Sequence, residues 1–510
     1  MDMCVPGGDH ALASVHCVQH FIHSSKGVLF PVAPCADLGP NERPFVTKDR
    51  AVARKMLVLN LAALSPWEIG DDCPRIAALA AEGSLRPLVA PEPALTCVSH
   101  ATMLTGAEPS EHGIIGNGWY DHQHAQIMNW GRSDHLVAGQ KIWEDLAQRF
   151  PGHTTANLFW RYCTHSTCDI TVTERPTYFA NGRKGADIYA STPELKSAIT
   201  HACGAFPFFN FWGPKADLNS SAWICDVAQF VLDAHAPDLL LCYAPGLDYE
   251  GQRYGPRSEH ARAVLRRGDA VFGRLIQSAR DAEMDIALVS DYGFTEVDTP
   301  VYLNRSLRRA GFLAVDDAVN GELLEPGASR AFAVCDNQAA HIYVRDPDDI
   351  DQVRHCLLDT PGVRDVLGPD SDESACLGHT RSGDLLAIAE PHVWFAYPYW
   401  LEEHKAPDFA DCVDIFRKPG FDPCELFMKK GFGGKMHLAK RFFQLKTGIR
   451  APFDVVCTDY EDIRGARNIR PESPQDGAVL ITSWAQEDSG PIHMRDLKDV
   501  LLNRIAQTAS

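Results

Sequence analysis

Three uninterrupted apolar stretches, each running into a polar loop, restrict the fold of this chain more than any other feature. Lys55 to Leu64 is the first; Asp238 to Ala244 leads into Pro245-Gly246-Leu247-Asp248; Asp285 to Ser290 leads into Asp291-Tyr292-Gly293. Apolar runs without alternation suit strands covered on both faces, as in parallel sheets. Between the second and third, Glu259 to Ala282 carries Ala263, Leu265, Val271, Leu275 and Ile276 at helical spacing. Pro74 to Gly83 likewise spaces Ile76, Leu79 and Ala80 before a glycine stop. This β-α-β alternation predicts an α/β fold, a doubly wound and mostly parallel sheet flanked by helices. Chemistry in such sheets gathers in the loops at the carboxyl ends of strands, where Asp248 and Asp291 both fall.

The length, 510 residues, exceeds the ~250–300 at which a single core stops growing, so the chain holds either one large α/β unit or several domains. Residues from about 325 to 391 read as a smaller α+β insertion: a strand at His341–Val344, a helix from Ile350 to Leu358 and a strand near Asp384 to Ala389. The organisation expected is an N-terminal extension over 1–54, a catalytic-type domain over 55–470 and a C-terminal segment over 471–510. Hydrophobic residues at 45% and charged residues at 23% are globular values and exclude disorder and coiled coil. The net charge of −19 repels phosphate backbones, so no nucleic-acid polymer is expected as partner.

The 16 cysteines are scattered with no C-x-x-C pair, a pattern of reduced thiols and not of a secreted disulfide framework. Met1 to Gln19 lacks a basic cluster and an apolar core, and no apolar run of ~18 residues occurs. A soluble intracellular protein is the expectation, with organellar targeting by the N-terminal extension left open; oligomeric state is not encoded legibly.

The most informative stretch is Pro93-Ala-Leu-Thr-Cys-Val-Ser-His-Ala-Thr-Met-Leu-Thr-Gly106, followed by Glu108-Pro-Ser-Glu-His-Gly-Ile-Ile-Gly-Asn117. It resembles the nucleophile region of the type I phosphodiesterase/nucleotide pyrophosphatase branch of the alkaline phosphatase superfamily, over roughly residues 55 to 470. The resemblance implies that Thr96 is a nucleophile forming a phospho-enzyme and that Asn117 donates its amide to a phosphoryl oxygen. It implies a phosphorylated small molecule, nucleotide-like or lipid-linked, as substrate of a phosphodiester or pyrophosphate hydrolase. His112 reads as a structural hydrogen-bonder.

The family's zinc-ligand pattern is broken. Asp248 matches one signature, but the histidine four residues later is Gln252; Asp291 matches another, with Tyr292 in the histidine position. The aspartate that ends the family's first strand is replaced at Ala62-Ala63, with Asn60 two residues earlier on the same strand face, and the last zinc histidine reads as Arg467. Zinc prefers imidazole, thiolate and carboxylate, and a guanidinium offers a cation no lone pair. Three readings stay open. Asp248 and Asp291, with amide oxygens from Asn60 and Gln252, would hold one Mg2+, Mn2+ or Ca2+ ion, a better match than a zinc pair, with zinc itself left open. Arg467 would stand in for an ion as a fixed cation. Or the site would bind a ligand without turnover, making the chain a binding or scaffold protein.

Other features have two readings each. Asp336 to His341 would add a ligand, or His341 is structural. The polar loop Asp414 to Asp422 would touch substrate, or is a solvated turn. Phe159-Trp160 and Phe208 to Trp212 would stack on a base, or fill core. Phe427 to Arg450 holds seven Lys and Arg and no Asp or Glu; it would be a peripheral membrane helix, or a surface helix packed through its phenylalanines.

Overall fold

A computed structural model describes residues 53–180, 184–371, 376–467 and 471–507; the N-terminal extension up to residue 52 lies outside the described residues. The main sheet takes its strands, in chain order, from Met56–Leu61 (β1), Ser84–Val89 (β2), Thr155–Leu158 (β3), Ile170–Glu174 (β4), Ile188–Ala190 (β5), Leu239–Ala244 (β6) and Asp285–Val289 (β7). Two further strands, Ala478–Thr482 and Ile492–His493, complete nine in the spatial order 492–493, β2, 478–482, β7, β1, β6, β3, β4, β5. The central five, β7-β1-β6-β3-β4, are all parallel. The strand 478–482, inside the segment set apart above as C-terminal, runs antiparallel between β2 and β7.

Alternation explains why β1 reads as one apolar run. Leu57, Leu59 and Leu61 face one core with the helices Pro74–Glu82 (α1) and Glu259–Asp281; Met56 and Val58 face a second core with the helix Leu497–Ala506. Each fully buried aliphatic side chain contributes ~1.5–3 kcal/mol, so both faces hold the strand in register. Its partners align Asn60 with Tyr243 on one side and Val289 on the other, which sets Asn60, Asp248 and Asp291 at one end of the sheet.

A second, antiparallel sheet is built from Ala331–Asp336, Ala339–Val344, Leu385–Ala389 and Val363–Leu367 in that spatial order, with the helix Ile350–Leu358 between its strands in sequence. The hairpin between its first two strands turns at Asn337, whose φ is 57°, a left-handed conformation that Asn tolerates. This turn delivers Asp336 to the edge of the main sheet's active end. The short strand Phe294–Glu296 pairs with Gly465–Arg467, Phe294 opposite Arg467, and so carries Arg467 in beside the exit of β7. All thirteen cysteines among the described residues are free thiols.

Candidate active site

Thr96 is the first residue of the helix Thr96–Thr105 (α2), every residue of which is buried. Its N-cap, Leu95, has no side chain able to bond the first turn. Asn117 supplies that cap from a distance: its Oδ1 accepts the Cys97 N–H at 3.1 Å, while its Nδ2 donates to Asp336 Oδ2 at 2.7 Å. The amide expected to face a phosphoryl oxygen thus also ties the helix start to the second sheet. The helix N-terminus adds a partial positive charge beneath Thr96.

Arg467 is 3% exposed. Its Nη2 lies 3.5 Å from Asp248 Oδ2 and its Nη1 3.8 Å from Asp336 Oδ1. The guanidinium is held between two rings, 4.8 Å from the Tyr292 centroid and 4.6 Å from that of Phe421. Gln252 donates its Nε2 to Asp248 Oδ2 at 2.8 Å. Burial pushes the Asp248 carboxyl up to about 6, against the opposing pull of Arg467 and the Gln252 hydrogen bond. Burial alone would lower the pKa of Arg467; Tyr292, Asp248 and Asp336 more than reverse it, so the guanidinium stays charged.

Asp291 sits one strand over. Its Oδ1 accepts the Ala63 N–H at 3.4 Å and its Oδ2 is 3.5 Å from His100 Nε2. His100 is fully buried, and burial lowers its pKa, so the ring is neutral. Its Nδ1 accepts the Arg161 backbone N–H at 3.0 Å, and a neutral imidazole has one proton, which must therefore be on Nε2. The structure sets Asn60 Nδ2 2.8 Å from that nitrogen and leaves Asn60 Oδ1 buried without a partner; with the proton on Nε2, the amide must be turned over so that its oxygen accepts.

The family that the sequence resembles is in general metal-dependent, and these residues do not fit its zinc pair. Among the described residues no three His, Cys, Asp or Glu side chains come together as a ligand group. Beside Asp248 the space for a cation is taken by a guanidinium, and Gln252 presents N–H, not oxygen, to the carboxylate. Beside Asp291 the imidazole nitrogen carries a proton and has no lone pair to give. Hydrogen bonds and a fixed cation thus occupy part of the expected ion site, while Asp248 Oδ1, Gln252 Oε1 and Asp291 Oδ2 are buried with no hydrogen-bond partner among the described residues.

Thr96, Asp248 and Arg467 share one cleft with Arg161, whose Nη1 pairs with Glu174 Oε1 at 2.7 Å. Of the aromatic clusters, Phe159 and Trp160 are core, each 1% exposed, whereas Phe208, Phe209, Phe211 and Trp212 line the cleft. From the loop Asp414 to Asp422, Ile415 and Phe416 reach it too. His112, bonded to Thr102 and Ile114, and His341, bonded to Ile115 and Gly383, are structural. Sequence reasoning passed over His100, Arg161 and Glu174. His100 stood inside the motif, four residues after Thr96 on the same helix face; Arg161 and Glu174 carried no signal, being joined only by the parallel pairing of β3 and β4.

A family model described as type I phosphodiesterase / nucleotide pyrophosphatase matches residues 57–422. The chain belongs to this family, and its fold is that of the alkaline phosphatase superfamily. A pyrophosphatase/phosphodiesterase of Schizosaccharomyces pombe is 25% identical over 239 residues, 43% of this chain and 40% of the yeast protein. The matched region is thus about two fifths of that curated relative's length. Among solved structures, murine ectonucleotide pyrophosphatase / phosphodiesterase 5 aligns with a TM-score of 0.54 at 13% identity, covering 90% of this chain and 96% of the other. An inactive Thr-to-Ala variant of the murine protein, in complex with AMP, aligns at 0.52. Phosphonoacetate hydrolase of Sinorhizobium meliloti aligns at 0.59 and 14% identity, covering 90% and 98%.

Proposed function

We propose that this protein hydrolyses a phosphodiester or pyrophosphate bond in a nucleotide-like or lipid-linked small molecule, with Thr96 as nucleophile and Arg467 in the role that an ion fills in relatives. The observation that carries the reading is the shared cleft: a hydroxyl at a helix N-terminus, a carboxylate and a buried guanidinium converge beside an aromatic wall. The AMP complex of the murine relative's inactive Thr-to-Ala variant supports both the nucleophile and the substrate class.

In this mechanism Thr96 Oγ attacks phosphorus in line as the bond to the leaving group breaks, giving a phospho-threonine that water then hydrolyses. Asp248 takes the hydroxyl proton: its Oδ1 has no hydrogen-bond partner among the described residues, and a pKa of about 6 leaves it ionised at neutral pH. Arg467 and the α2 N-terminus face the charge that develops on the phosphoryl oxygens. Asn117 fixes the helix start and has a second N–H to offer.

The test is turnover of a chromogenic phosphodiester without added metal, comparing the wild type with Thr96→Ala. Hydrolysis lost in the variant supports the assignment. Equal rates in both, with AMP binding retained, would replace it with ligand binding without turnover.

A further inference from the structure

The helix Gly431–Lys446, which we label α3, turns part of its apolar surface outward. Its domain-facing side mixes polar groups with Leu438 and Phe442: His437 Nε2 lies 3.1 Å from Asp454 Oδ1, and Arg441 Nε donates to the same carboxylate at 2.6 Å. Its outward side is apolar. Phe432, Met436, Ala439 and Phe443 follow the i, i+4, i+7, i+11 spacing of one helical face. The three large side chains are 79%, 59% and 65% exposed. The expectation that this helix packs on the domain through its phenylalanines is thereby reversed for two of them.

Cations flank the apolar stripe. At 100° per residue Lys435 and Lys446 fall on one side of it and Lys440 on the other. All three are exposed and make no ion pair among the described residues, whereas Lys429 is held by Asp411 and Lys430 by Asp462. A ridge of large apolar groups bordered by free ammonium groups, on a chain whose net charge is −19, matches a surface that is apolar at depth and anionic at its rim. Long lysine stems let the ammonium groups rise to that rim while the rings go below it.

We infer that α3 lies in the interface of an anionic lipid bilayer, as a peripheral contact. No helix among the described residues is long and apolar enough to cross a membrane. The contact also bears on access to the cleft. Leu438 and Phe442 of α3 border an apolar groove with Phe209, Trp212 and Phe453, and these last three also line the cleft that holds Thr96. A helix seated in the interface therefore lies beside a groove that shares three aromatic side chains with the cleft of the proposed catalytic threonine. The docking surface itself does not depend on that catalytic assignment.

Flotation of the full chain with vesicles tests this, using phosphatidylcholine alone and phosphatidylcholine mixed with phosphatidylserine. The protein is expected to float with the mixed vesicles, to be released by high salt, and to stay behind with phosphatidylcholine alone. Lys435→Ala, Lys440→Ala and Lys446→Ala combined should weaken partitioning roughly 100-fold, given the usual electrostatic contribution of a lysine at such a surface. Phe432→Ser with Phe443→Ser should abolish it. Both variants alter exposed side chains, so unchanged thermal melting and unchanged hydrolysis of a soluble phosphodiester are expected alongside. Failure of the wild type to float, or flotation indifferent to both variants, overturns the inference. So does a wild-type dimer in size-exclusion with light scattering that the phenylalanine variant turns into monomer, since the stripe would then be covered by a second copy.

Discussion

Arg467 Nη2 and Asp248 Oδ2 face each other across 3.5 Å, both side chains nearly excluded from solvent at 3% and 4%. The pair closes a chain of polar contacts that runs from Gln252 through Asp248 and Arg467 to Asp336, and on through Asn117 to the first turn of α2. A permanent cation here serves two carboxylates, one at the start of the helix after β6 and one at the end of a strand of the second sheet.

Removing that cation should be costly. Arg467→Met keeps the volume between Tyr292 and Phe421 but leaves Asp248 and Asp336 buried without counter-charge, a loss of ~3–5 kcal/mol. Arg467→Lys keeps the charge and loses the planar fork and ring stacking, so an intermediate loss is expected. Urea denaturation of the three proteins measures this; a Met variant as stable as wild type would show that the ion pair is not formed.

Chelation should change nothing. With a guanidinium beside Asp248 and a protonated nitrogen beside Asp291, exhaustive EDTA treatment is expected to leave both the phosphodiesterase rate and the melting temperature where they were. Restoration of activity by zinc after chelation would show instead that the donors rearrange around an ion.

Much of this was legible beforehand, for definite reasons. β1, β6 and β7 are buried on both faces, so their apolar runs stood out, and α2 carried its motif in one contiguous stretch. Asp248 and Asp291 followed from their places after β6 and β7. Arg467 was readable as a fixed cation in an ion's place, but its pairing with Asp336 was not, because Asp336 lies on another sheet and the two meet through tertiary pairing of Gly465–Arg467 with Phe294–Glu296. His100 was missed because its meaning resides in a backbone N–H from Arg161, sixty-one residues away. Nor could the orientation of α3 be read from periodicity, since its two faces are both partly apolar and only packing shows which one turns outward.

The pH profile should report Asp248. As the proposed acceptor of the threonine proton it must be ionised, so the rate should rise with pH through a limb near 6, the value to which burial pushes the carboxyl. Gln252→Met removes the N–H that favours the ionised form. The carboxyl then moves further up, and the limb should shift to higher pH with little change in the plateau. A limb that stays in place in this variant would assign it to another group.

Asn117 couples structure to rate. Asn117→Ala frees the Cys97 N–H and strips Asp336 of a donor, for a stability loss of ~1–2 kcal/mol by analogy with lost caps and buried hydrogen bonds. The rate should fall further than stability explains, by ~10²-fold, if the same amide also meets a phosphoryl oxygen. Comparing Asn117→Ala with Asn117→Asp separates the two: the carboxylate can still accept from Cys97 but repels Asp336 and a phosphate alike.

His100 offers the most direct check on the ion-free reading. Its Nδ1 is held as an acceptor by the Arg161 backbone N–H, which fixes the proton on Nε2 and requires the neighbouring Asn60 amide to present its oxygen there. Nitrogen chemical shifts of the labelled ring should therefore report the Nε2–H tautomer at neutral pH. Burial outweighs the attraction of Asp291 and keeps the ring pKa below its usual value, so that signature should persist as the pH falls below 6.5. Adding Zn2+ or Mg2+ should leave the shifts unmoved, because an ion at this nitrogen has first to displace the proton. Displacement would move the proton to Nδ1, against the Arg161 N–H, and break that bond to the ring. A deprotonated Nε2, or a metal-induced shift there, would return Asp291 to the role of an ion ligand.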